Sequence, residues 1–187
     1  PWPVLRIMAA CHSLALIGKT RGSPVVGDPL EKTVLNHTGY ELTGNGTVTS
    51  FDESNQVNTV LLLHRFAFSS RLKRMTVLAT EASGKGAIWA LTKGAPETIK
   101  ELLSKDSIPA DYDDVSFHHM SRGRRVLALA YREAGQTRDL QTLKDSGRDK
   151  IESSWTFAGF LVLDCPVKAG SKSFITELRK RKLETVM

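Results

Sequence analysis

Between residues 59 and 93 the chain passes through three β-rich segments, 59–68, 74–80 and 87–93, joined only by the short connections SSRLK and EASGKG. A parallel crossover needs about a dozen residues or more, so connections of this length predict an antiparallel meander. Successive side chains alternate across a strand, which places Val60, Leu62, His64, Phe66 and Phe68 on one face. Apolar stretches at 125–131 and 156–163 predict two further strands.

Helical signals surround this sheet. Residues 4–16 are rich in Ala, Leu and Met and predict a helix ending near Gly18. In GDPLEKTVLNHTG, Asp28 stands at an N-cap, Pro29 at the first helical position, Glu31 three residues past the cap and Gly39 beyond the end. Residues 44–58 are polar and turn-rich and predict a loop with room for one short strand. Residues 96–103 and 112–121 predict short helices, and 138–153 a charged one. The fold class expected is α/β, a mainly antiparallel β-sheet flanked by helices. After Asp164 the segment DCPVKAGSK forms a Pro- and Gly-bearing joint, and a helix is expected at 173–182. The division expected is therefore 1–164 as one domain and 165–187 as the hinge and start of the next.

The composition, 41% hydrophobic and 25% charged over 187 residues, suits one large domain or a domain with a fragment, and argues against chain-wide disorder. A formal charge of +6 suits an anionic partner: nucleic acid, an acidic membrane surface or a phosphorylated small molecule. Cys11 and Cys165 lie far apart without CxxC spacing, which favours free thiols and disfavours structural zinc. The most apolar run, Val60 to Leu63, is far too short to span a bilayer, and a soluble polypeptide is expected. The chain starts on Pro1 and stops on LETVM, which reads as an incipient strand, so it is expected to be a piece of something longer.

Several residues could carry chemistry. ALTKGAPE places Lys93 where a strand gives way to a helix, but its lysine precedes the single glycine, which is the wrong order for a Walker A loop. Lys93 could still meet an anion beside a helix N-terminus, or simply be solvated. In FAFSSRLKRM, Phe68 and Lys73 could offer an aromatic face and an ammonium to one cleft; equally, Phe68 could be core and Arg71, Lys73 and Arg74 a solvated turn. Met75 would flank that cleft or fill core volume. Arg124 and Arg125 are equal local candidates for a phosphate contact, and the position of Glu31 fits a capping box. His12, His64, His118 and His119 have no metal-ligand spacing and read as structural or solvated. No GxSxG, HExxH or Cys–His pairing points to a self-contained hydrolase.

Taken together, GDPLEK, FAFSSRLKRM, KGAPE, GRRVLALAYRE and DCPVKAGSK occur in the order and spacing of the cytosolic nucleotide-binding domain of P-type ATPases. The set most resembles the type V pumps of subgroup A, those of the endoplasmic reticulum. The resemblance runs from Ala10 to Met187 and implies an ATP site. It carries the adenine-stacking phenylalanine onto Phe68, the lysine of that hairpin onto Lys73, and the pocket-lining lysine and glycine onto Lys93 and Gly94. Met75 is expected to flank the same pocket. Alignment through Gly123 and Leu127 selects Arg125 as the phosphate-side arginine, and the acidic residue near the adenine amino group falls on Glu31.

The family's phosphorylated aspartate motif DKTGT, and its TGD and GDGxND motifs, do not occur in these residues. The resemblance therefore implies a chain that binds ATP but holds no catalytic residue of its own, with Mg2+ ligands mainly elsewhere. Phosphorylation, actuator and transmembrane domains of the same polypeptide are the partners implied, at the cytosolic face of the endoplasmic-reticulum membrane. No nucleic-acid partner is expected, and the piece itself is expected to be monomeric. Where the family has KADSK, this chain has KAGSK, with Gly170 in place of the acidic residue. Two rival readings are a basic nucleic-acid-binding module using Phe68 and the RLKR hairpin, and a nucleotide-sensing domain without catalysis.

Overall fold

The structure is a computed structural model that describes residues 2–18, 22–44, 46–51, 57–82, 86–164 and 166–186. Cys165, residues 83–85 of the second meander connection and the final Met187 lie outside the described residues.

The predicted meander is the middle of a larger sheet. Helix α1 (Trp2–Ala10) leads to a two-stranded ribbon, β1 (Ala15–Leu16) and β2 (Val25–Val26), and then to α2 (Pro29–His37). The main sheet follows as β3 (Tyr40–Leu42), β4 (Thr47–Phe51), β5 (Val57–Ser69), β6 (Arg74–Glu81), β7 (Ala87–Gly94), β8 (Arg125–Gln136) and β9 (Thr156–Leu163). These seven strands lie in sequence order, each antiparallel to the next. Short helices α3 (Pro96–Lys100) and α4 (Tyr112–Met120) bridge β7 to β8, while α5 (Leu140–Asp145) and α6 (Arg148–Ile151) bridge β8 to β9. Helix α7 (Ser171–Lys180) follows β9 and has no buried residue. No described helix is long and apolar enough to cross a membrane.

Helices cover both faces of the sheet. Ile7, Ala10 and Leu14 from the α1 region and Val34 and Leu35 of α2 pack with Val48, Val60, Val77, Leu91 and Leu129. On the other face Ile99, Tyr112, Ile151 and Trp155 pack with Leu78, Ile88, Ala90, Ala128 and Ala130. Strand β6, between these two layers, is buried at every position but its last, as a strand covered on both sides must be.

Four expectations are corrected. The first helix stops at Ala10 rather than Leu16, because the Leu14 N–H turns to His12 Nδ1 (3.1 Å) and the Ser13 N–H to Glu31, so neither continues the helical ladder. The segment at 44–58 holds not only its one short strand, β4, but also the first residues of β5, with β3 just before it; Thr–Thr hydroxyl contacts at 3.2 and 3.3 Å link Thr43, Thr49 and Thr59, while residues 52–56 lie outside the described residues. The charged stretch 138–153 is two short helices, because Ser146–Gly147 interrupts it and Gly147 takes φ 80°, a conformation that favours glycine.

The fourth correction concerns β5. Its register against β6 slips between Leu62 and His64 and again between Phe66 and Ser69. Each slip is a β-bulge, and one extra residue sends the side chains that follow to the opposite face. Val60 and Leu62 thus face the α1–α2 layer, whereas Phe66 packs with the other layer. The second bulge restores Phe68 to the first face.

Candidate functional site: a cavity between the second helix and the sheet

On the α1–α2 face, the edge of α2 and the ends of four strands enclose a cavity of about 300 Å3. Its sheet side comes from Met75 on β6, Lys93 and Gly94 on β7, Arg125 and Leu127 on β8, and Leu161 and Leu163 on β9. Its helix side comes from Asp28, Leu30, Glu31 and Val34, with Ser13 beside them, and the β5–β6 hairpin contributes Phe68 and Lys73. All seven residues singled out from the sequence, Glu31, Phe68, Lys73, Met75, Lys93, Gly94 and Arg125, border this one space.

The local chemistry explains how each arrives there. The Asp28 carboxylate caps α2 by accepting the Leu30 N–H at 2.7 Å and the Glu31 N–H at 3.3 Å. Glu31 does not complete the reciprocal half of a capping box. Its Oε1 accepts from Lys93 Nζ at 2.7 Å and its Oε2 from the Ser13 N–H at 2.8 Å, tying α2 both to the sheet and to the chain after α1. Both side chains of the pair are only 15% exposed, so solvent screens it less than a surface pair. Two lone-pair directions on the carboxylate remain for a further donor.

The hairpin is held by its backbone. Lys73 takes φ 48°, donates its N–H to the Ser69 carbonyl at 2.7 Å, and accepts from the Ala95 N–H at 3.0 Å. Its ammonium pairs with Glu97 at 3.0 Å on the first turn of α3. The Glu97 carboxyl lies below its ordinary range, through its own backbone N–H first and the Lys73 ammonium second. Both partners are more than half exposed, so the pair contributes at most about 1 kcal/mol and can exchange for another anion. Phe68 projects a ring that is 58% exposed, whereas Met75 beneath it is fully buried and fills core volume.

Gly94 has a steric reason. A Cβ there would lie 2.8 Å from both the Arg74 Cβ and the Lys73 carbonyl oxygen, so a bare α-carbon lets the hairpin close on β7. Of the two adjacent arginines, Arg124 is occupied by Asp164 (3.2 Å) and His119 Nδ1 (3.0 Å), while the exposed Arg125 borders the cavity. Arg74 is not part of a solvated turn: it is 9% exposed and pairs with Glu152. Behind the cavity Cys11 gives its S–H to the Leu91 carbonyl, and burial pushes the thiol up to about 12, which keeps it protonated. Among the described residues no three metal-ligating side chains gather.

The sequence reading missed Ser13, Leu30, Val34, Leu127, Leu161 and Leu163 as cavity residues, and took Asp28 only as a cap. Leu127 was within reach, since it follows Arg125 by two along a strand and must share its face.

No protein-family model matches the chain. Curated relatives do. The chain is 35% identical to the probable manganese-transporting ATPase PDR2 of Arabidopsis thaliana, 34% to the endoplasmic reticulum transmembrane helix translocase of Saccharomyces cerevisiae, and 32% to the probable cation-transporting ATPase 13A4 of Gallus gallus. Each match takes in all of the chain. The chain belongs to the type V P-type ATPases. It spans about 15% of the length of these relatives, so this type V sequence corresponds to one part of a much larger polypeptide in each of them. In this type V chain the motif residues are drawn from a helix, a hairpin and two further strands, and the sheet gathers them at one end.

Proposed function

We propose that this chain is the ATP-binding domain of a P-type ATPase of the endoplasmic-reticulum subgroup, comprising residues 1–164, with 165–187 entering the neighbouring phosphorylation domain. The observation that carries the reading is the joint placement of an exposed Phe68 ring and a fixed Glu31–Lys93 pair on one cavity that Leu30, Val34, Leu127, Leu161 and Leu163 also line. An adenine needs a flat apolar surface for its face and a polar group for its edge. Phe68 supplies the first and the Glu31 carboxylate, acceptor-only when ionised, suits an exocyclic amine. Lys73 and Arg125 supply positive charge for the phosphates.

The chemistry assigned to the chain is positioning. It holds Mg-ATP by the base and, in the whole pump, presents the γ-phosphate to an aspartate in the phosphorylation domain, to drive transport or dislocation across the membrane. Magnesium is expected to arrive bound to the phosphates, with its protein ligands mainly outside this chain. With the acceptor aspartate assigned to the neighbouring domain, the chain alone is expected to turn over no ATP.

The nucleic-acid alternative loses ground at the hairpin, since Arg74 is buried against Glu152 and cannot track a backbone of phosphates. Phe68→Ala tests the preferred reading. ATP binding followed by calorimetry is expected to weaken by about 1–3 kcal/mol, the worth of one base–aromatic stack, with the fold retained. Unchanged affinity, or tight oligonucleotide binding that ATP does not compete, would overturn it.

A further inference from the structure

The face of the sheet opposite the cavity carries a buried ionic cluster around Glu152. Glu152, at the end of α6, is 2% exposed. It accepts from Arg74 Nε at 2.6 Å, from Arg148 Nε at 2.7 Å, and from the Thr76 hydroxyl. Arg148 uses its other two nitrogens on main-chain carbonyls: Nη1 reaches Ala67 at 3.1 Å and Nη2 reaches Arg74 at 2.9 Å. Those two carbonyls bracket residues 68–73. Arg148 thus spans the two strands at the base of the hairpin that presents Phe68 and Lys73, at the second bulge of β5.

A bulge leaves backbone groups outside the ladder, and a side chain that satisfies them fixes its geometry. The planar guanidinium suits this task because its donors are set in one rigid fork; a lysine in its place carries its three donors on one nitrogen and lacks the spread of that fork across two strands and a carboxylate. Glu152 in turn orients the fork, since it binds Arg148 through Nε and leaves the two terminal nitrogens for the backbone.

We infer that Arg148, oriented by Glu152, is a positioning residue that sets the angle of the Phe68–Lys73 hairpin and thereby the affinity of the cavity for a nucleotide. The inference rests on the nucleotide reading for its consequence, and on the clamp geometry alone for its mechanism. The mechanism and the consequence can be measured separately.

The test is Arg148→Lys in the whole chain, with Arg148→Ala beside it, both compared below their unfolding transitions so that only folded protein is observed. Hydrogen exchange in ligand-free protein is expected to quicken about tenfold at the amides of residues 69–73 while the β6–β7 ladder stays protected. ATP affinity is expected to fall about fivefold or more, and this loss is expected to vanish when Phe68 is already alanine, because the two residues act through one surface. Unchanged exchange at the hairpin overturns the clamp. An equal loss of affinity with and without Phe68 also overturns it. Should the unmodified chain bind no ATP, the nucleotide reading fails instead, and the exchange rates still decide whether Arg148 holds the hairpin.

Discussion

At His12, burial and a neighbouring charge together displace a titration. The ring is 1% exposed, Nδ1 accepts the Leu14 N–H, and Nε2 has no hydrogen-bond partner among the described residues. Burial, reinforced by the nearby positive charge of Arg65, lowers its pKa from 6.5 to about 4. The folded state therefore holds the neutral ring where the unfolded chain would take a proton, so this contribution is present above about pH 6.5 and lost as pH falls towards 4. The loss amounts to about 3 kcal/mol across that window. Urea unfolding at a series of pH values is expected to show stability rising with pH between these limits, with His12→Asn flattening the rise. Identical slopes for both proteins would contradict it. Glu31 carries a different lesson at this scale. Its place after Asp28 in sequence supports a cap, while the partner that redirects it, Lys93, lies 62 residues away and is invisible to local reasoning.

At the scale of elements, the hairpin of β5 and β6 governs the site. Period-two alternation along β5 puts Phe68 on the correct face, yet it does so through two compensating bulges that alternation cannot register. His64 and Phe66, between them, are carried to the other side. Strands β6, β7 and β9 were legible because their apolar runs are bounded by turn signals, whereas β3 and β4 were obscured by Thr, Gly and Asn, residues that suit turns as well as edges. Gly94 was readable as a special position but for a different reason than the structure supplies. It is where β7 meets the start of β6, and Gly94→Ala drives a methyl against the Lys73 carbonyl, a backbone atom that cannot swing aside. Thermal or urea unfolding is expected to show a loss of about 1–3 kcal/mol. Wild-type stability in that variant would mean the hairpin does not close on β7 as described.

At the scale of the whole molecule, seven strands in sequence order form a sheet that spans from a threonine-lined edge to the apolar β9, with helices on both faces. This arrangement brings residues from α2, β5, β6, β7 and β8 to one cavity without any phosphate-binding glycine loop. The family resemblance could select those residues in advance because its motifs are ordered along the chain, but their common cavity and the clamp on the far face depend on register and packing. The central claim is that this cavity receives adenine. A structure of the chain soaked with a non-hydrolysable ATP analogue and magnesium tests it most directly. The account predicts the purine ring stacked on Phe68 with its amino group towards Glu31 and its phosphates towards Lys73 and Arg125; an analogue seated elsewhere, with this cavity empty, would contradict it.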